Sequence, residues 1–113
     1  MPETKDRPFG DGRRPSSSVQ FVVRSDGATP LIEVAGEIDL SNVDALEGCL
    51  SVFQRGDTVI LDLSALRYID SRGIAALVQT STKGVTLICR GVGGAVKRVF
   101  DTCRMDSLLT IEH

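Results

Sequence analysis

Val19, Phe21 and Val23 recur at every second position, the period of a half-buried strand. Asp26-Gly27 supplies a turn and "PLIEVAG" follows, so the first two strands form a hairpin. The period then changes. Val43, Leu46, Leu50 and Phe53 recur at helical spacing after Ser41, a good N-cap with Asp44 three residues on, and predict a helix of about three turns ending near Gly56. "TVILDL" at 58–63 is a β-branched, apolar run of the kind found in strands covered on both faces. Ile74, Leu77 and Val78 fall at i, i+3 and i+4, so a second helix starts at Asp70-Ser71 and closes at Gly84. "VTLICR" at 85–90 is another buried strand. Val96, Val99, Phe100 and Cys103 form the inner stripe of a third helix with Lys97 and Arg98 outside, and "LLTIE" is a last short strand.

The order is β-β-α-β-α-β-α-β. Strands alternating with helices imply right-handed crossovers and a mostly parallel sheet of about five strands, with one antiparallel pair at its start. The fold class is α/β. In such sheets ligands and partners meet the loops at the carboxyl ends of the strands. The segment "YIDSRG" at 68–73 is one of those loops.

Composition narrows the classes. The 113 residues suffice for one domain with its own core, and 42% apolar with 25% charged residues is ordinary for a globular protein. A net charge of -2 argues against a direct nucleic-acid binder, which needs a basic face. Three cysteines without C-x-x-C spacing fit neither a zinc site nor a secreted disulfide framework. They read as buried small hydrophobes in a reduced compartment, with Cys89 and Cys103 a candidate redox pair if the fold brings them together. Residues 1–17 are rich in Pro, Gly, Ser and charge and read as a disordered tail before a domain at 18–113. Within that tail Arg13-Arg14 precedes three serines, a pattern suited to kinase recognition or simply to solvation. No apolar leader or segment long enough to span a bilayer is present, so a cytoplasmic location without membrane insertion is expected.

Four chemistries compete for Ser71. A nucleophile elbow has glycine two residues before its serine, where this chain has Ile69, and its triad needs a histidine, for which the chain offers only His113. A P-loop motif is absent. "GVGGAV" at 91–96 resembles a dinucleotide fingerprint but carries Val96 where the third glycine belongs, and reads better as a loop letting the third helix approach the sheet. As a plain N-cap, Asp70 or Ser71 would accept a hydrogen bond from a free backbone N–H, worth about 1 kcal/mol. That reading leaves the doubling of Asp and Ser beside Arg72 unexplained. A modification site accounts for it: phosphate adds roughly -1.5 to -2 charges at a helix N-terminus, where N–H groups and the dipole favour an anion.

"LDLSALRYIDSRGIAAL" at 61–77, with "VAGEIDLSNVDAL" at 34–46 before it and "AVKRVFD" at 95–101 after it, resembles the STAS domain of bacterial anti-sigma factor antagonists. The likeness runs from about Val19 to Ile111. It implies that Ser71 is phosphorylated by a partner anti-sigma factor that is also a serine kinase using ATP, and is restored by a serine phosphatase. Asp39 would flank the serine and help form the docking surface, and Asp70, Arg72 and Gly73 would shape the turn at the head of the helix. The unphosphorylated form would bind the anti-sigma factor and release a sigma factor for transcription; the phosphorylated form would let go. The resemblance implies partner switching by a cytoplasmic phosphoprotein that is no enzyme and needs no cofactor or metal.

The chain departs from the family pattern twice. Eleven residues separate Gly73 from Val85, so the second helix is expected to be about one turn short. The sequence given stops at His113 after the last strand, where relatives continue into a helix, so a bare edge or face is expected that a homodimer or a larger assembly could cover. Other STAS domains serve in anion transporters, lipid-transport complexes and stress-signalling assemblies. A subunit of a membrane transport complex or of such an assembly, acting by binding only, is the alternative.

Overall fold

A computed structural model describes residues 18–112. Residues 1–17 and His113 lie outside it, and with them the expected tail, the Arg13-Arg14 pattern and the lone histidine. The described chain runs β1 (Val19–Asp26), β2 (Thr29–Ile38), α1 (Val43–Leu50), β3 (Thr58–Ile69), α2 (Ser71–Thr82), β4 (Thr86–Arg90), α3 (Gly94–Thr102), a 3-10 turn (Met105–Ser107) and β5 (Thr110–Glu112). The five strands form one sheet in sequential order. β1 and β2 are antiparallel and every later pairing is parallel, as the alternation of periods predicts.

Register decides which residues share a face. Ile32, Leu61, Cys89 and Ile111 stand opposite one another on consecutive strands. With Val34, Ile38, Val59, Leu63 and Leu87 they point at the helices, and one continuous cluster joins them to Leu46 and Leu50 of α1, Leu77 of α2, and Val96 and Phe100 of α3. Burying each such side chain contributes about 1.5–3 kcal/mol before entropy is counted. All three helices serve this face, and the expectation that β3 and β4 are covered on both faces holds for β3 at Val59–Leu61, whereas β4 alternates buried with half-buried or exposed positions. Leu31 and Ile60 are buried on the other face without joining that cluster.

The boundaries differ in places for physical reasons. α1 has eight residues and stops at Leu50, and Phe53 packs on the core from the following turn rather than from the helix. Ser41 does not cap α1; Asn42 holds that position without a side-chain cap bond, because the Ser41 hydroxyl donates instead to Asp39 (2.6 Å). β3 continues past Leu63 to Ile69 beside β2, with register shifts between Glu33 and Ala35 and between Gly36 and Glu37. Those irregularities break the alternation that marks a strand in sequence. Cys103 is the C-cap of α3 and is exposed, so it does not complete the inner stripe. No helix among the described residues is long and apolar enough to cross a membrane.

One glycine fixes where the chain enters the sheet. Gly36 has φ 104°, and a Cβ there would strike the Ser18 carbonyl oxygen, which accepts a hydrogen bond from Glu37 N (2.9 Å). Gly36→Ala is expected to cost about 1–3 kcal/mol from the backbone conformation alone, read as a lower urea midpoint at unchanged slope. An unchanged midpoint would show that Ser18 does not pack there.

Candidate functional site

The site is built where β2 and β3 end together. Ile38 stands opposite Ile69, and Asp70 N donates to the Ile38 carbonyl (3.1 Å), so Asp39 and Asp70 leave neighbouring strands side by side. This is the carboxyl end of the parallel sheet, the edge at which such folds present their loops.

The chain from Glu37 to Val43 is stitched to itself. Asp39 Oδ1 accepts from the N–H (2.9 Å) and the hydroxyl (2.6 Å) of Ser41, while Asp39 N donates to Asn42 Oδ1 (3.0 Å). Asn42 Nδ2 donates back to the Glu37 carbonyl (2.8 Å), and the Asp39 carbonyl accepts from Asn42 N and Val43 N. Asp39 is thus a turn-former whose carboxylate is oriented by the serine two residues on. Leu40, which this turn pushes outward, is 65% exposed.

At the head of α2 the division of labour between Asp70 and Ser71 is resolved. Asp70 is the N-cap in extended conformation, and its Oδ1 accepts from Arg72 N (2.9 Å) and Gly73 N (3.3 Å). A carboxylate there also meets the positive end of the helix dipole. Ser71 is the first residue inside the helix and is exposed, and among the described residues its hydroxyl makes no hydrogen bond. The cap is complete without it. Gly73 is buried, and a Cβ at that position would lie 2.5 Å from Ile69 Cγ1 and 2.8 Å from Ile38 Cγ2. Its missing side chain lets the first turn of α2 close on the two strand ends, which puts Ser71 at the rim.

Arg72 is exposed and makes no ion pair among the described residues. Arg67 is paired with Glu37 (3.1 Å), and Asp39 and Asp70 at the neighbouring strand ends and Asp44 in the first turn of α1 supply further carboxylates. The rim is acidic, as its sequence suggests. Tyr68, 45% exposed, and Leu40 add apolar surface to it. The reading of the sequence missed both, because Leu40 continues the apolar spacing of β2 and Tyr68 precedes an apparent turn; it also missed Asn42, whose only signal is an Asp-x-x-Asn spacing.

The remaining candidates stand apart from this rim. Gly91 of "GVGGAV" packs against Ser64 of β3, with φ 75° and a hypothetical Cβ 2.8 Å from Ser64 Cβ, whereas Gly93 and Gly94 have open space around theirs. Only Gly91 serves close approach. Cys49, Cys89 and Cys103 are free thiols. Cys89 is buried in β4, where desolvation pushes its thiol up to about 12 and keeps it protonated, unsuited to exchange with exposed Cys103. Among the described residues no group of three or more His, Cys, Asp or Glu is placed to hold a metal ion.

Two outcomes follow from this geometry. Asp70→Ala, which strips the cap from Arg72 N and Gly73 N, is expected to cost about 1 kcal/mol, whereas Ser71→Ala should stay within about 0.5 kcal/mol of wild type. Chemical denaturation of both variants checks this, and equal losses would give Ser71 a structural role. In native protein a thiol reagent should label Cys103 first and Cys89 only as the chain unfolds, followed by mass mapping; rapid labelling of Cys89 would place it at an accessible site.

Comparison with known proteins agrees with the geometry. The family model described as "Mlab, STAS domain" matches residues 21–110. Among solved structures, an anti-sigma factor antagonist from Mycobacterium paratuberculosis is similar at 24% identity and a TM-score of 0.71, over 83% of this chain and 85% of that one. The anti-sigma factor antagonist SpoIIAA in its unphosphorylated form is similar at 20% identity and a TM-score of 0.66, over 83% and 89%. A sulfate transporter family protein from Wolinella succinogenes is similar at 22% identity and a TM-score of 0.58, over 74% and 75%. These likenesses show the fold. No curated protein matches the chain in sequence. With the family model spanning nearly all the described residues, the chain belongs to the STAS domain family.

Proposed function

We propose that this STAS domain is an anti-sigma factor antagonist that works by binding and is switched at Ser71. The observation that carries the reading is the exposed Ser71 hydroxyl in the first turn of α2, relieved of capping by Asp70. A side chain with no structural task at a helix N-terminus can accept a phosphate while the fold stays intact. The similarity to the mycobacterial antagonist and to unphosphorylated SpoIIAA supports the same reading.

In this reading the unmodified rim docks on an anti-sigma factor that is also an ATP-dependent serine kinase, and a sigma factor is released. Asp39 and Asp70 set the charge of the docking surface, Arg72 offers it a cation, and Gly73 keeps the helix head against the strands. Leu40 and Tyr68 supply apolar contact. A phosphate on Ser71 adds to the carboxylates beside it and repels the same partner; a serine phosphatase reverses this. The protein acts in the cytoplasm. A second reading, a binding subunit of a membrane transport complex, is favoured by the likeness to the Wolinella protein and requires no phosphorylation.

Affinity purification from native cells with tagged wild type, Ser71→Ala and Ser71→Glu separates the two. A kinase-like anti-sigma factor should accompany wild type and alanine, while glutamate weakens its binding by about tenfold, or about 1.4 kcal/mol. Peptide mapping after incubation with that kinase and ATP should place the phosphate on Ser71. Membrane-transport subunits bound equally to all three forms would overturn the switch and establish the second reading.

A further inference from the structure

Strand β1 is the outermost strand of the sheet, and among the described residues only its β2 side is paired. Its register with β2 runs unbroken from Val19 to Asp26. Residue pairs in an antiparallel ladder alternate between hydrogen-bonded and open. The bond from Glu37 N to the Ser18 carbonyl marks Ser18 as the hydrogen-bonded kind, and the tight turn joining Asp26 to Thr29 sets the same phase at the other end. Gln20, Val22 and Arg24 therefore turn their backbone groups toward β2. The N–H and carbonyl groups of Val19, Phe21, Val23 and Ser25 point away from the sheet, where another strand can pair with them.

The strand lacks the devices that keep edges apart. It has no proline and no bulge, and its charges are engaged within the chain, Arg24 with Glu33 (3.1 Å) and Asp26 with Arg90 (3.3 Å). Val22 and Val23 are 44% and 69% exposed, the first beside Glu33 on the open face and the second beside Ile32 on the helix face. The opposite edge of the sheet is different: β5 is three residues long, and Glu112 at its end is tied to Arg90 (2.6 Å).

We infer that β1 pairs with β1 of a second copy of this chain, the two sheets becoming one about a two-fold axis at Val22. A two-fold axis makes the strands antiparallel, and centring it on Val22 gives the longest overlap that sets outward residues against outward residues, from Ser18 to Asp26. Phe21 then stands opposite Val23 of the copy and Val19 opposite Ser25, so every outward N–H and carbonyl of the span meets a partner. Val22 meets its own equivalent, the exposed Val23 meets the copy's Phe21, and Arg24 stands opposite Gln20, so no like charges face each other. Moving the centre to Arg24 would set that cation against itself. Because β1 runs antiparallel to β2, the acidic rims of the two copies lie at opposite ends of the joined sheet and both stay open. The interface depends on neither the partner proposed above nor phosphorylation.

Analytical ultracentrifugation of the full chain tests it. Wild type should sediment as a dimer at a concentration on the order of 100 μM. Val22→Lys and Val22→Glu each set like charges against each other at the axis, and should weaken association by about tenfold or more. Mixing the two in equal amounts should restore the dimer, since lysine meets glutamate only if position 22 faces itself. Val23→Pro removes an N–H that β2 does not use and should also give monomers, with a urea midpoint near that of wild type showing that the fold is kept. A wild type that stays monomeric, or a dimer indifferent to Val22→Lys and Val23→Pro, would overturn the interface. Charged variants that remain monomeric when mixed would overturn the axis at Val22. No kinase is present in these measurements, so their failure leaves the Ser71 switch standing, and an unphosphorylated Ser71 leaves the interface standing.

Discussion

The contact of Gly73 with Ile69 and Ile38 is the constraint on which the rim depends. Two strands must end level, which the Ile38–Ile69 pairing and the bond from Asp70 N to the Ile38 carbonyl enforce. A helix must then start immediately, because Asp70 is already its cap. The first turn of that helix can lie on the strand ends only if its third residue has no side chain, since any Cβ there would sit inside both isoleucines. With β2, β3 and α2 joined in this way, Asp39, Asp70, Ser71 and Arg72 have nowhere to be except together on the rim.

The rest of the sheet divides its labour by face. The helix side is apolar and continuous; the opposite side carries the buried Leu31 and Ile60 and a lattice of charges. Arg90 reaches from β4 to Asp26 beyond two intervening strands and to Glu112 on the last one, and both bonds hold its guanidinium above its ordinary pKa. Asp62 is held below the usual carboxylate range, first by the Ser64 hydroxyl, then by Ser64 N, with Arg90 adding to it. These groups are exposed, so each pair is worth little alone. What they do is satisfy that face internally, whereas Arg72 at the rim finds no such partner among the described residues.

Much of this was legible in the sequence because the signals were local. The turn at Asp26-Gly27, the apolar run at 58–63 and the i, i+3, i+4 spacing after Ser71 each report on neighbouring residues, and the order of elements follows from them. The failures were non-local. Nothing near Leu63 says that β3 continues for six more residues, because its continuation is stabilised by β2 across register shifts. Ser41 has the chemistry of a cap, but its hydroxyl donates to Asp39 and Asn42 takes the N-cap position. At the rim, "DSRG" marked the turn at the head of α2 but could not assign the structural task of each residue. Which of Asp70 and Ser71 caps the helix is a question of backbone geometry, and glycine at 73 looks like a turn signal until the two isoleucines beneath it are seen.

That assignment bears on why aspartate and serine occur together. A serine that capped its own helix would lose the cap bond once its oxygen became a phosphate ester and had to reorient, so modification would disturb the fold it acts on. With Asp70 as the cap, the two demands are separated: the carboxylate holds the helix start, and the hydroxyl one residue later is left to solvent. The separation carries an electrostatic cost, since a phosphate at Ser71 would sit beside Asp70 and near Asp39. The N–H groups and the dipole of α2 offset part of that repulsion within the domain. A docking partner brings no such compensation unless it carries its own cations. The same anion is therefore tolerable to the fold and unfavourable to an interface that matches the unmodified rim, which is the asymmetry a binding switch requires.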